Sequence, residues 1–404
     1  MGTTMRRRGA WTVAAVLALV AAGCGGGSDG AADGPSGDAD GGAETTTTAP
    51  GFDADELRLD QIQAIGTHNS FHQAPPPDEL AKLAAFDEAQ AAQREYSHRP
   101  IGEQLADQGI RQLELDVFAD PEGGLYSSPA LRDPSASAPY GPDGSPLDEP
   151  GTKVLHEQDV DYHSVCPTFV GCLEEVAAWS DANPDHVPIA IHVQFKDGPL
   201  IFPVPDQAVP VKWTSEQMDA LDEEIRSVFD PEDLITPDAV RGDAASVEAA
   251  VLDGGWPTLG ESRGKVLFAM INAEPYRSIY LEGHEGLAGR ILFTNAEPGQ
   301  PDAAIVGIDD PLVDAERIAE LVGLGYLVRT RSDANGVEAI ADDPVRLEAA
   351  LASGAHWIST DYPPPDGAAE QYGTAFVAQL PGGLVARCNP VTAPDDCDDA
   401  SVER

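Results

Sequence analysis

The sequence predicts an α/β chain closed into a TIM-type (β/α)8 barrel. Short apolar, β-branched runs recur about eight times over ~300 residues, as a ring of parallel strands requires. Stretches with helical periodicity lie between them, which implies parallel pairing with both faces of the sheet covered. No glycine-rich nucleotide fingerprint follows the first strand, which disfavours the rival open, doubly wound sheet.

The first residues read as an export signal. Arg6, Arg7 and Arg8 precede an apolar run over 11–22, shorter than the ~20 residues that span a bilayer. Ala21, Ala22 and Gly23 lead into Cys24 in the manner of a lipobox, with Ala21 where Leu is usual. Residues 1–23 are therefore expected to be a lipoprotein signal peptide. Lipidation at Cys24 would anchor an exported chain in the cell envelope, and plain secretion is the alternative. Residues 24–55 are rich in Gly, Asp and Thr and read as a flexible tether.

The barrel is expected over 56–366, with strands at 63–67, 111–118, 153–156, 187–195, 265–272, 290–295, 327–331 and 356–361. Helical patterns cover 79–94, 169–179, 215–229, 314–324 and 344–353. The stretch 126–151 reads as a long loop after the second strand, and 367–404 as a C-terminal cap or tail.

With Cys24 set aside, Cys166, Cys172, Cys388 and Cys397 form two pairs close in sequence. An oxidising compartment favours bridges Cys166–Cys172 and Cys388–Cys397, although four cysteines allow three connectivities. Zinc-site spacing is missing.

Apolar residues make up 42%, enough for a sizeable core, and 69 acidic against 24 basic residues give a formal charge of −45. Such a field repels polyphosphate backbones, so no nucleic-acid partner is expected. A monomer is the expected state.

Polar groups gather at strand ends. The first strand ends in His68 and Asn69. In the second, the alternation Leu113, Glu114, Leu115, Asp116, Val117 puts two carboxylates on one face. Inside a barrel such a pair needs a cation or protons, and calcium takes oxygen ligands readily. The third strand delivers His156, suited to acid–base work on a phosphodiester, with His163 as a lesser rival.

Thr67–Ser70 (T-H-N-S), Glu114–Asp116 (E-L-D), the V-L-H ending at His156, Cys166–Leu173 (C-P-T-F-V-G-C-L) and Trp179–Pro184 (W-S-D-A-N-P) together resemble bacterial calcium-dependent phosphatidylinositol-specific phospholipases C. These belong to the superfamily of PLC-like phosphodiesterase barrels, and the resemblance spans roughly 57–366. It implies cleavage of a phosphatidylinositol-type phospholipid to diacylglycerol and a cyclic inositol phosphate, with Ca2+ as cofactor. On that match His68 stabilises the phosphorus centre or shares in base catalysis. His156 protonates the leaving oxygen, and Glu114 is ligand and base. Asn69, Glu114 and Asp116 match calcium ligands.

The family usually has a further carboxylate where Gln194 aligns, so weaker calcium binding is expected unless Asp197 or water substitutes. Lys196, on the same face as Gln194, is a candidate for substrate contact, as are Arg329, its face-mate Arg331, and Tyr362, which could stack on a sugar ring. His72, His98, His186, His284 and His356 are expected to be structural, and His192 a hydrogen-bonded core residue. Two rival functions remain: a glycerophosphodiester phosphodiesterase, and a lipoprotein that binds inositol or sugar phosphates without turnover.

Overall fold

The computed structural model describes residues 52–132, 145–200 and 204–404. The signal peptide, Cys24, nearly all of the tether and the middle of the 126–151 loop lie outside the described residues.

Among the described residues ten strands form one sheet: β1 (Ile62–Thr67), β2 (Gln112–Phe118), β3 (Lys153–Val154), β4 (Ile189–Phe195), β5 (Val266–Met270), β6 (Leu292–Asn295), β7 (Ala303–Gly307), β8 (Leu327–Arg331), β9 (Trp357–Thr360) and β10 (Ala386–Cys388). β1, β2, β4, β5, β6, β7, β8 and β9 pair in parallel, each with the next, and β9 pairs with β1 to close the barrel.

Two strand expectations need correction. The segment at 153–156 is no stave: β3 is a two-residue ribbon lying antiparallel on the end of β2, with Val117 opposite Val154. The missing stave is β7, which the sequence hides. Its A-A-I-V-G composition is weakly β-branched, and it follows β6 with no intervening helix. The alternation of strand and helix fails at that one step.

The strands are buried on both faces. Leu113, Leu115 and Val117 of β2 pack in the main core beside Phe169, Leu173 and Val176. Those three, with Cys172, mark the inner face of helix Phe169–Ala182, which starts where the Thr168 side chain accepts from the Gly171 N–H at 3.2 Å. Helix Pro311–Leu324 buries Ile318, Leu321 and Val322 and ends at Gly325, whose φ of 103° suits a residue without Cβ. The expected helix over 79–94 is two, Pro77–Ala84 and Glu88–Ala92, because Asp87 caps a new start by accepting from Ala89 and Gln90.

The lumen face of β2 is polar. Gln112 accepts from Ser359 of β9, and Glu114 meets Arg329 of β8. Neither β8 nor β9 is next to β2 in the sheet, since β1 lies between β2 and β9, so these contacts cross the barrel interior. Gly66 of β1 makes room for them: a Cβ there would sit 2.0 Å from Gln112 Oε1.

Both expected disulfides are present, Cys166–Cys172 and Cys388–Cys397. The tail packs on the barrel, with β10 antiparallel to β1 and Glu403 paired with Arg111.

Candidate active site

The C-terminal ends of β1, β2, β4, β8 and β9 bring the site together. His68 follows β1 directly. Its Nδ1 is 2.7 Å from Asp361 Oδ1, just beyond β9, and its Nε2 is 3.8 Å from Glu114 Oε1. Because a carboxylate only accepts, Nδ1 carries the proton and Nε2 faces the lumen. Arg331 reaches both partners, with Nη1 3.3 Å from His68 Nε2 and Nη2 3.2 Å from Asp361 Oδ2. Burial, then the Arg331 charge, pushes the His68 imidazole well below its ordinary pKa, so it rests neutral.

Asn69 takes φ +46°, a left-handed conformation that Asn tolerates. Its amide donates to the Tyr96 hydroxyl at 3.0 Å, which turns Oδ1 away; that oxygen is buried and has no hydrogen-bond partner. Asp116 is wholly buried, and neither of its oxygens accepts a directed hydrogen bond. Among the described residues its one ion pair is to Lys196 Nζ, 3.0 Å from Oδ2. Burial pulls the Lys196 ammonium down, but Asp116 outweighs it and raises the pKa. Glu114 Oε2 is held by Arg329 Nη2 at 2.5 Å. Gln194 lies in register with Asp116 on the neighbouring strand.

An amide oxygen and a carboxylate left without donors in a buried site, beside a second carboxylate, form the donor set of a hard cation. The residues therefore fit calcium.

A second cluster lies around His156, two residues past β3. His156 Nδ1 is 2.7 Å from Asp161 Oδ2, and His72 Nε2 is 3.0 Å from Asp161 Oδ1. Arg94 Nε adds an ion pair to Oδ2 at 3.1 Å. Burial pushes the Asp161 carboxyl up, yet the two imidazoles outweigh it and hold its pKa below the usual range. The donor atoms of His72, His156 and Asp161 lie within 4.8 Å of one another. With each imidazole on a different oxygen and Arg94 on one of them, the group is a hydrogen-bonded relay. Tyr96 joins the two clusters: its ring stacks on His72 at 4.3 Å, and its hydroxyl meets Asn69.

The other sequence candidates fall as follows. Arg329 is fully engaged, with Nη1 on Asp309, Nε on Ser359 and Nη2 on Glu114, so its fork is spent inside the protein. Tyr362 is 3% exposed and packs with Tyr96 and Phe376, its hydroxyl 3.5 Å from Tyr372, which leaves no ring face for a sugar. Asp197 accepts from the Tyr276 hydroxyl and pairs with Lys212 rather than joining the acidic pair. His163 is taken by Glu79. His192 is buried against Trp357, but neither of its nitrogens has a hydrogen-bond partner, contrary to expectation. His72 is no isolated structural histidine, since Asp161 pairs with it. Sequence reasoning missed Asp361, Asp161, His72 and Tyr96 as site residues. The one signal available was Asp161, five positions after His156.

The sequence matches the family described as "Phosphoinositide phospholipase C, Ca2+-dependent" over residues 57–390. No curated relative matches it. Among solved structures, the chain is similar to a calcium-dependent phosphoinositol-specific phospholipase C from Pseudomonas sp.. The identity is 17%, with 83% of this chain and 96% of that one covered at a TM-score of 0.49. A Ca2+-dependent phosphatidylinositol-specific phospholipase C from Streptomyces antibioticus is 18% identical, with 76% and 95% covered at a TM-score of 0.46. Neither likeness carries the assignment, which rests on the sequence match. The chain belongs to the Ca2+-dependent phosphoinositide phospholipase C family, and so to the phosphoric diester hydrolases that take calcium as cofactor.

Proposed function

We propose that the chain cleaves phosphatidylinositol-type lipids to diacylglycerol and a cyclic inositol phosphate, with His68 and His156 as its acid–base pair. The observation that carries this reading is two carboxylate-oriented histidines together with a buried acidic pair, of which Glu114 is held by Arg329 and Asp116 accepts no directed hydrogen bond. Asp361 holds His68 with Nε2 toward the lumen, where Arg331 adds a positive charge for the reacting phosphate. Asp161 engages His156 Nδ1 and so leaves Nε2 for the leaving diacylglycerol oxygen. Glu114 Oε1, 3.8 Å from His68 Nε2, is placed to share with that imidazole in taking the proton of the attacking 2-hydroxyl. Asn69, Glu114, Asp116 and, through its carbonyl, Gln194 are the calcium ligands. Bound there, calcium supplies neutralisation of phosphate charge and acidification of that hydroxyl.

The lipid character of the substrate has its own support. Phe86, Val209, Leu312, Val313, Val337 and Ile340 are each more than half exposed. All lie in segments that follow the C-terminal ends of barrel strands, the face on which the site opens. Lipidation at Cys24 would tie the chain to a bilayer, and Cys24→Ala should then release it from the membrane fraction.

The test is release of diacylglycerol from phosphatidylinositol vesicles. Turnover with Ca2+ that stops with chelator is expected. Hydrolysis of glycerophosphocholine instead, or headgroup binding without turnover at any calcium concentration, would replace this reading with one of its rivals.

A further inference from the structure

Two cations neutralise the acidic pair, and they are built differently. Arg329 is 5% exposed at its side chain and is fixed by Glu114, Ser359 and Asp309. Its planar fork has no second place to go. Among the described residues Lys196 contacts one carboxylate, Asp116, and its side chain is 27% exposed. Its flexible stem therefore runs from the mouth of the site to a carboxylate that is itself 0% exposed. Gln194, in register with Asp116, contributes no charge that would hold the ammonium a second time.

A buried carboxylate without hydrogen-bond donors requires a positive charge close by. Asp116 Oδ2 has the Lys196 ammonium, while Asp116 Oδ1 and Asn69 Oδ1 have no partner. A divalent ion bound by those oxygens would sit against the ammonium. Like charges at that range repel, so the two compete for one carboxylate.

We propose that Lys196 is an exchangeable internal counter-ion. It holds Asp116 in the metal-free chain, is displaced when calcium binds that carboxylate, and then pairs with the substrate phosphate. The proposal rests on the reading that Asn69, Glu114 and Asp116 hold calcium. It makes calcium and anion binding mutually reinforcing, because each favours the same swung-out lysine, and linkage requires the coupling to be equal in both directions.

The test is calorimetric titration of Ca2+ into the full chain, with and without myo-inositol 1-phosphate as probe, for wild type, Lys196→Met and Asp116→Asn. Lys196→Met is expected to bind calcium about tenfold tighter than wild type, within the usual size of coupling between two sites. The inositol phosphate should tighten calcium binding in wild type by about fivefold and by less in the lysine variant, where only the direct attraction between calcium and phosphate is left. In chelator the variant should melt below wild type, and calcium should restore it.

Equal or weaker calcium binding by a folded Lys196→Met chain would overturn the exchange. No calcium binding by wild type, or undiminished binding by Asp116→Asn, would sink the calcium reading and the exchange with it. If the variant fails to fold, a crystal structure of the unaltered chain with calcium decides. Lys196 Nζ should have left Asp116, and an ammonium still in contact beside the ion would refute the proposal.

Discussion

His68 Nδ1 lies 2.7 Å from Asp361 Oδ1, across the seam where β9 closes the barrel onto β1. The two residues extend a parallel register in which Thr67 pairs with Thr360, so closing the barrel and orienting the imidazole are one structural event. Arg331 fixes the other carboxylate oxygen, and the Asp361 N–H donates to Asp333 Oδ1. Asp361 thus has little freedom to turn away.

Asp361→Asn tests that orientation. An amide can donate to Nδ1, which favours the tautomer with its proton on the lumen-facing nitrogen. Turnover should fall by about 10²–10⁴-fold, the range seen when a histidine loses its orienting carboxylate or its acid–base role. Steady-state kinetics alongside a thermal melt separates this from unfolding. A loss under about threefold would show that the pair is not used in turnover.

Gln194→Glu supplies a carboxylate beside Asp116. The calcium concentration for half-maximal turnover should drop by about tenfold, because ligand charge tunes calcium affinity. An unchanged calcium dependence would place Gln194 outside the metal's ligands.

Gly66→Ala should destabilise the barrel. Its Cβ would lie 2.0 Å from Gln112 Oε1 and 2.6 Å from Gln112 Cβ, and overpacking of this kind costs about 1–3 kcal/mol. Urea unfolding reads the difference, and a neutral result would mean that Gln112 can leave the lumen at little cost.

Stability should fall as pH drops below about 6.5. Burial lowers His98 to about 4, His192 to about 3 and His356 to about 4, from 6.5. The unfolded chain then binds protons that the native one refuses. This contribution is full above 6.5 and is lost as pH falls through the folded values. Asp333 acts oppositely: burial, then the Asp361 charge, raises it from 3.8 to about 6, so its contribution is full below 3.8 and lost as pH rises through 6. Each proton taken up on unfolding changes stability by about 1.4 kcal/mol per pH unit. Urea melts at pH 7, 6 and 5 should show the net decline, and His192→Leu should make it shallower by about one proton. An identical slope in that variant would mean that His192 titrates normally in the fold.

The parts of the fold set by local pattern could be read from sequence. Strict alternation at Leu113–Val117 placed Glu114 and Asp116 on one face, and the apolar run ending at His68 and Asn69 marked a strand tip. The missed stave, β7, lacks the local signal: Ala303 and Ala304 are weak strand formers, and no helix separates them from β6. The 153–156 segment looked like a stave because Val154 and Leu155 are apolar, yet what they cover is the end of β2. Partnerships across the barrel had no sequence signature at all. Asp361 is 293 residues from His68, and Asp161 is 89 from His72. Arg329 and Arg331 share a strand face, but only the lumen geometry separates their roles. The first is consumed by Glu114, while the second stays beside the histidine.

The central claim is that His156 protonates the leaving oxygen while His68 serves the phosphorus centre. The most direct measurement compares two substrates with calcium present: phosphatidylinositol, whose diacylglycerol leaves poorly without a proton, and an inositol nitrophenyl phosphodiester, whose leaving group needs none. The account predicts that His156→Ala loses most turnover on the lipid but keeps most of it on the nitrophenyl ester, whereas His68→Ala loses both. Equal losses on both substrates for His156→Ala would contradict it.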